Sequence, residues 1–217
     1  PGAFDIQVSI RDANGVTGQS GNSWRVLPGL TITTTSVSPV TAGAPCSRPI
    51  AISGGVAPFR WFIVGGALPA GMIAGAADGA LSGSPASSGL FQFTLRVQDS
   101  NGVEASQSFS LQVNPELSIA AAALAPLTSG QSLSHSFTAS GGTPPLSWSL
   151  ASGALPAGLS LNAQGVLSGQ VTTTGAFTFD VLVRDANGAE AARPFSLQVN
   201  PARELRLSPN TLAFEAF

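Results

Sequence analysis

Three segments of the chain alternate between apolar and mostly polar residues, which is the pattern of a β-strand with one buried face. Their apolar positions are Phe4, Ile6, Val8 and Ile10, then Phe91, Phe93, Leu95 and Val97, and finally Phe177, Phe179, Val181 and Val183. Each segment leads into an Asp-x-Asn-Gly sequence and a further strand-like run. Because Asn and Gly both tolerate a positive φ, Asn-Gly between two such runs predicts a β-hairpin. The pattern therefore predicts an all-β chain.

The hairpin pattern recurs along the chain, which predicts a tandem repeat. Pro28, Pro115 and Pro201 close the three hairpins, at spacings of 87 and 86 residues. We therefore divide the chain into four predicted parts. They are the C-terminal part of a preceding repeat over 1–28, complete repeats over 29–115 and 116–201, and the first strand or strands of a following domain over 202–217.

Both complete repeats also share motifs ahead of the hairpin. Segments 53–71 and 140–158 each contain Ser-Gly-Gly-x-x-Pro-x-x-Trp followed by Ala-Leu-Pro-Ala-Gly. This succession of motifs resembles the He_PIG repeats of large bacterial surface proteins, which are relatives of cadherin-like domains. The resemblance covers nearly all of both repeats and implies tandem immunoglobulin-like (cadherin-like) β-sandwiches, each with about seven strands. The first repeat departs from the pattern over 72–76, so we expect a differently shaped loop there.

Composition narrows the classes of function. Charged residues make up 9% of the chain, against roughly 25% in an average soluble domain. A net charge of −2 gives no basic surface that would hold phosphates, so we expect no nucleic-acid partner. All nine basic residues are arginine, and the chain has one cysteine and one histidine. Lysine chemistry, an intrachain disulfide and a His-rich metal site are therefore excluded, and we expect no enzymatic activity.

The chain also lacks a segment suited to a bilayer. Its longest apolar run, 119–127, has nine residues and includes Pro126. A membrane-spanning helix needs about 20 apolar residues. We therefore expect no membrane insertion.

Trp61 and Trp148 occupy matching positions after the Gly-Gly-x-x-Pro turn. An exposed indole could stack on a sugar ring, so these residues are the candidate ligand site. In immunoglobulin-like sandwiches, however, a tryptophan on this strand usually fills the core, where its burial is strongly stabilising. We favour the core for both, and also for Trp24, which aligns with the apolar positions Leu111 and Leu197.

Asp12, Asp99 and Asp185 recur where the hairpin turns begin. The resemblance to cadherin-like domains, which bind Ca²⁺ through acidic residues near domain junctions, makes Asp99 and Asp185 the candidate metal ligands. Calcium takes about 6–8 oxygen ligands, usually including several carboxylates, and each repeat contains few acids. Alternatively, each carboxylate accepts hydrogen bonds from N–H groups of its own turn. We favour the turn and expect no cofactor, with calcium as the alternative.

Cys46 and His135 each have a structural explanation. Cys46 aligns with Leu133, and a free cysteine mostly behaves as a small buried hydrophobe. His135 aligns with Arg48, and no Gly-x-Ser-x-Gly nucleophile turn accompanies it. We expect neither a reactive thiol nor a Ser-His-Asp triad.

These features favour a structural or adhesive module at the cell surface of a bacterium or secreted from it. Tandem sandwiches joined by Asn114-Pro115, with no Gly/Ser linker, would form a stiff spacer, because proline restricts its own φ and the residue before it. The expected partners are neighbouring immunoglobulin-like domains of the same polypeptide. Cell-surface glycans and other protein chains are further candidate partners.

Two alternative functions remain open. One is a carbohydrate-binding accessory module of a secreted hydrolase. The other is a segment of an extracellular filament, whose incomplete ends would pair with neighbouring chains by strand addition. The segments 1–28 and 202–217 together are shorter than one repeat, so we expect crop points rather than donor strands.

Overall fold

The computed structural model describes residues 2–26 and 28–202, and over 2–4 and 22–26 it describes the backbone alone. The described residues form twenty β-strands and no helix. Consequently, this part of the chain contains no helix long and apolar enough to cross a membrane. The chain divides into two compact units between Glu116 and Leu117. The all-β class predicted from the sequence is confirmed.

A two-stranded hairpin begins the first unit. Its strands are β1 (Gly2–Arg11) and β2 (Thr17–Val26), which pair antiparallel along their whole length. Gly15 in the connecting turn has a φ of 86°, which is the left-handed conformation that Asn-Gly turns require. Ile6, Val8 and Ile10, which share one face of β1, are exposed.

The rest of the first unit is a β-sandwich of nine strand segments. They are β3 (Thr31–Ile32), β4 (Val40–Thr41), β5 (Cys46–Arg48), β6 (Ile52–Ser53), β7 (Arg60–Gly66), β8 (Met72–Ala74), β9 (Leu81–Gly83), β10 (Gly89–Gln98) and β11 (Glu104–Asn114). One sheet has the order β4-β11-β10-β7, and the other strands form the sheet β5-β9-β8 and the pair β3-β6. Pro49 lies between β5 and β6 and has no N–H for a sheet ladder. Pro49 thus separates β5 from β6, and this break is one reason why the segments number nine where about seven strands were expected.

The alternating residues of β10 and β11 fill the core of this sandwich. Phe93, Leu95 and Val97 are at most 2% exposed, and Leu111 and Val113 are fully buried. They pack with buried residues from the part of the unit that precedes β10, namely Leu30, Val40, Ala42, Ile50, Trp61, Met72 and Leu81. Full burial of an aliphatic side chain of this size contributes roughly 1.5–3 kcal/mol, so this cluster is the main source of the unit's stability.

The second unit repeats the architecture. Its strands are β12 (Ser118–Ile119), β13 (Leu127–Thr128), β14 (Ser132–Ser136), β15 (Ala139–Ser140), β16 (Ser147–Gly153), β17 (Leu159–Leu161), β18 (Val166–Gln170), β19 (Gly175–Arg184) and β20 (Glu190–Asn200). The sheets are β13-β20-β19-β16, β14-β18-β17 and β12-β15. Phe179, Val181 and Val183 of β19 are at most 2% exposed. Two sandwiches with one strand order are therefore present.

The departure of the first repeat over 72–76 affects a turn and leaves the strands in place. β8 and β17 both form, and each pairs antiparallel with the next strand. The additional residue of the first repeat lies in the β8–β9 turn, between Ala74 and Leu81. The predictions for the side chain of Trp24 and for a strand within 203–217 lie outside the described residues.

Candidate functional site

Trp61 lies in the core of the first sandwich. It is the second residue of β7, where it stands opposite Val97 of β10, and it is 6% exposed. Gly79 in the β8–β9 turn lies against the indole, so closely that a Cβ there would be 2.5 Å from the ring carbon Cδ2. The ring is therefore enclosed by the sandwich and the turn, and has almost no surface on which a sugar could stack.

Trp148 has the same surroundings in the second sandwich. It stands opposite Val183 of β19 and is 8% exposed. Gly165 of the β17–β18 turn corresponds to Gly79, and a Cβ at this position would lie 2.9 Å from the indole. The ring also stacks on Phe137 at a centroid distance of 6.1 Å. Both candidate sugar platforms are thus parts of a core.

Asp99 connects two turns that are far apart in sequence. Its Oδ1 accepts hydrogen bonds from the N–H groups of Asn101 and Val103 within the hairpin turn, both at 2.9 Å. Its Oδ2 accepts one from the N–H of Val56, 43 residues earlier, at 3.0 Å. In return, the carbonyl of Val56 accepts from the N–H of Ser100 at 2.9 Å. The side chain therefore joins the β10–β11 turn to the turn that precedes β7.

Asp185 makes the same contacts in the second repeat. Oδ1 accepts from the N–H groups of Asn187 and Ala189, both at 2.8 Å, and Oδ2 accepts from the N–H of Thr143 at 2.9 Å. The carbonyl of Thr143 accepts from the N–H of Ala186 at 2.9 Å. Asp99 and Asp185 are 6% and 5% exposed. We refer to this arrangement as the Asp clamp.

The hydrogen bonds of the Asp clamp favour the charged form of Asp99. Burial acts to raise the pKa of this carboxyl, while the N–H groups of Val103, Val56 and Asn101 stabilise its negative charge. The hydrogen bonds outweigh the burial, so the pKa lies below its usual value. The charge of the Asp99 carboxylate is therefore stabilised by backbone N–H groups of its own repeat.

The contacts of the Asp clamp favour a structural role over a calcium site. Three N–H donors point at each carboxylate, and a cation there would have to be accommodated beside donors that carry positive partial charge. Within residues 2–26 and 28–202, no three His, Cys, Asp or Glu side chains lie close enough together to hold a metal ion. Asp99 belongs to the first unit and Asp185 to the second.

Cys46 and His135 lie on matching strands, β5 and β14. Cys46 is half-buried against the first core, and burial raises the pKa of its thiol, with Arg48 acting in the opposite direction. His135 contacts Phe137 edge-on, at a centroid distance of 5.0 Å. Its Nε2 atom is buried and has no hydrogen-bond partner among the described residues. Burial outweighs Arg48, so the raised pKa disfavours the thiolate that nucleophilic chemistry at Cys46 would need.

A hydroxyl-lined cleft recurs on both units and was not predicted from the sequence. In the first unit it has a volume of about 590 Å³, and its lining includes Gly66, Thr94 and Ser108. In the second unit it has about 310 Å³, and its lining includes Gly153 and Thr178. Each cleft lies at the β-bulge where β10 or β19 shifts its register against its neighbour. Only the pairing of distant strands creates it, so local sequence patterns carry no signal for it.

Comparisons with known proteins support the fold. The sequence model of the He_PIG family, whose description reads "Putative Ig domain", matches residues 28–114 and 117–200. No curated protein matches the sequence.

Several solved structures are similar to the chain. The N-terminal eight Ig domains of Down Syndrome Cell Adhesion Molecule (DSCAM) are 18% identical over 92% of this chain and 27% of that chain, with a TM-score of 0.45. The protocadherin GammaB4 extracellular domain is 18% identical over 90% of this chain and 40% of that chain, with a TM-score of 0.34. A "putative alpha-galactosidase" from Bacteroides fragilis is 22% identical over 39% of this chain and 18% of that chain, with a TM-score of 0.35. The chain thus spans less than half the length of each.

Proposed function

Because the chain belongs to the He_PIG family of immunoglobulin-like domains, we propose that it is a structural module of a bacterial surface or secreted protein, in which tandem sandwiches act as a stiff spacer. The observation that carries this proposal is the repetition of one architecture. Both units have the same strand order, the same buried tryptophan and the same Asp clamp. The recurring tryptophan and aspartate side chains of each repeat thus stabilise the fold of that repeat.

The connection between the repeats supports stiffness. β11 ends at Asn114 and β12 begins at Ser118, so only three residues connect the last strand of one repeat to the first strand of the next. Pro115 fixes its own φ and restricts Asn114. A connection this short, without glycine, leaves few backbone conformations, whereas a Gly/Ser linker samples many.

The chemistry of the repeats favours a spacer over the alternatives. The indoles that a carbohydrate-binding module would use are buried, and the recurring carboxylates are bonded to backbone N–H groups. We therefore assign the chain no enzymatic activity. Its partners are the neighbouring immunoglobulin-like domains of the same polypeptide, in an extracellular or cell-surface location.

Small-angle X-ray scattering on residues 29–201 tests the stiffness. We expect a narrow distribution of distances between the two repeats. The matched control is the same chain with Gly-Gly-Ser-Gly-Gly inserted after Pro115, which should broaden that distribution. Equal, broad distributions for both chains would contradict the spacer and leave two flexibly tethered sandwiches.

A further inference from the structure

Strand β11 has one side that is largely unpaired. It pairs with β10 along ten of its residues, whereas among the described strands only β4 pairs with its other side, at Val113 and Asn114 alone. In an antiparallel pair, successive residues direct their N–H and C=O groups alternately toward the partner and away from it. Asn114 directs its carbonyl away from β10, since this carbonyl accepts from the N–H of Ala42 at 2.9 Å. The even-numbered residues of β11 therefore direct their backbone groups to the unpaired side.

Three exposed serines, Ser106, Ser108 and Ser110, are the even-numbered residues in the middle of β11. We refer to them as the serine edge. Among the described residues, their N–H groups donate to no loop or strand. The carbonyl of Ser108 accepts only from the exposed side-chain amide of the adjacent Gln107, at 3.2 Å. Unpaired N–H and C=O groups along a strand are a template for the addition of another strand.

The second repeat protects the same edge with a proline and an arginine. Pro194 occupies the register position of Ser108, and it has no N–H to offer on the unpaired side. Arg193, the residue before it, donates to the carbonyl of Ile119 at 3.2 Å. Prolines and charged side chains on an edge strand prevent pairing between sheets. Residues 105–114 of the first repeat include neither a proline nor a charged residue, so its edge is open to a partner.

The serine edge is complementary to a second copy of itself. When two β11 strands meet antiparallel with Ser108 opposite Ser108, Ser106 of each copy stands opposite Ser110 of the other. Each of these serines then donates one backbone hydrogen bond to the other copy and accepts one from it. Glu104, the one charged residue of the strand, stands opposite Gln112 in this register. Two copies can therefore pair without bringing like charges together.

We propose that the serine edge is a surface for homodimerisation, on which β11 of a second copy of this chain adds antiparallel and makes one continuous sheet of two first repeats. Both copies use the same surface, so the association closes at a dimer and does not extend into a fibre. Pro194 and Arg193 exclude the equivalent pairing of second repeats. The dimer does not depend on the stiffness of the spacer proposed above.

Analytical ultracentrifugation of the full chain, from micromolar to millimolar concentration, measures this association. We expect a reversible equilibrium between monomer and dimer. Ser108→Pro should raise the dissociation constant by about tenfold or more, because each copy loses a backbone donor at the centre of the contact. The second repeat has proline at this register position, so the variant is expected to fold, which circular dichroism checks.

Ser108→Ala is the matched control. It keeps the backbone N–H and removes a hydroxyl that already bonds to Thr94 of its own sheet, at 2.9 Å. Its dissociation constant should therefore stay close to that of the wild type. A chain that remains monomeric at every concentration would overturn the proposal, and so would a dimer that a folded Ser108→Pro variant forms equally well.

Amide hydrogen exchange of the wild type locates the contact and does not depend on any variant. Protection of Ser106, Ser108 and Ser110 should rise by about tenfold or more between dilute and concentrated protein, because their N–H groups become bonded in the dimer. The amides of Ala192 and Ser196, at the equivalent positions of β20, should show no such rise. A dimer that leaves the amides of the serine edge unprotected would contradict the proposal and place the contact elsewhere.

Discussion

At the scale of single residues, one side chain often joins segments that are distant in sequence. Asp99 bonds its own turn through Oδ1 and a backbone N–H 43 residues away through Oδ2. Trp148, which lies on β16, contacts Phe137 and the turn that contains Gly165. The loss of such a residue is therefore expected to weaken more than one element.

Trp148→Ala should lower the free energy of unfolding of the second repeat by roughly 3–5 kcal/mol, because it removes a buried indole and leaves a cavity. Urea denaturation of wild type and variant measures this. Ser149→Ala, at the next and exposed position of β16, is the control and should have little effect. An unchanged midpoint for Trp148→Ala would show that the indole does not support the core.

The charge of Asp99 should make the stability of the first repeat depend on pH. Its pKa is lower in the folded state than in the unfolded state, where an aspartate titrates near about 3.9. The charged carboxylate therefore stabilises the fold fully above that value, and the stabilisation is lost as the pH falls through the folded-state pKa. Asp99→Asn removes this contribution.

Thermal unfolding from neutral to acidic pH measures the effect. The wild type should have the higher Tm near neutral pH, and the difference from Asp99→Asn should shrink as the pH falls below about 3.9. Asp78→Asn, which changes an exposed carboxylate in the β8–β9 turn, is the control. A difference in Tm between wild type and Asp99→Asn that does not vary with pH would contradict the role of the charge.

At the scale of elements, the tight turns do more than connect strands. Gly165 has a φ of 83° and lies against Trp148, whereas Gly188 has a φ of 84° and nothing near its Cβ position. Both glycines provide a left-handed backbone, but only the first also lets a turn approach the core closely. The β17–β18 turn thereby covers one side of the Trp148 indole.

Substitution of each of these two glycines by alanine separates the effect of the left-handed backbone from the effect of the close contact with the indole. Gly188→Ala should cost about 1–2 kcal/mol, the penalty of a left-handed backbone for an L-residue. Gly165→Ala should cost at least about 1 kcal/mol more, because its Cβ also overlaps the indole. Chemical denaturation of both variants measures the difference. Equal losses would show that the turn can move away from Trp148 without cost.

At the scale of the whole molecule, stability comes from units that each have their own core. The buried residues of the first cluster all lie within 30–113, and those of the second within 117–199. Neither cluster includes a carboxylate, and the two Asp clamps belong to different units. Each repeat therefore has a hydrophobic core made of its own residues.

Millimolar Ca²⁺ should leave the Tm of the chain unchanged. A ligand raises Tm only by binding the folded state more tightly than the unfolded one, and the recurring carboxylates already accept backbone hydrogen bonds. Differential scanning calorimetry with Ca²⁺ and with a chelator measures this, with Mg²⁺ as the control. A rise of several degrees that the chelator reverses would restore Asp99 and Asp185 as calcium ligands.

The sequence alone was sufficient for the class of the fold and for its long hairpins. Period-2 alternation and Asn-Gly turns depend on the backbone geometry of neighbouring residues, so they can be read locally. This is why β10 and β19 and their buried positions, Phe93 and Phe179 among them, follow the predicted pattern. The strong similarity of segments 29–115 and 116–201 also predicts that they are two repeats of one domain.

Only the tertiary structure decided how distant residues are used. The bond from Val56 to Asp99 and the contact of Gly79 with Trp61 each depend on a segment elsewhere in the chain. A local pattern shows that a residue is apolar or suited to a turn, and says nothing about which partner it meets. The partner is set by the pairing of strands that are distant in sequence, as β7 with β10 and β16 with β19, and alternation within one strand carries no information on that pairing.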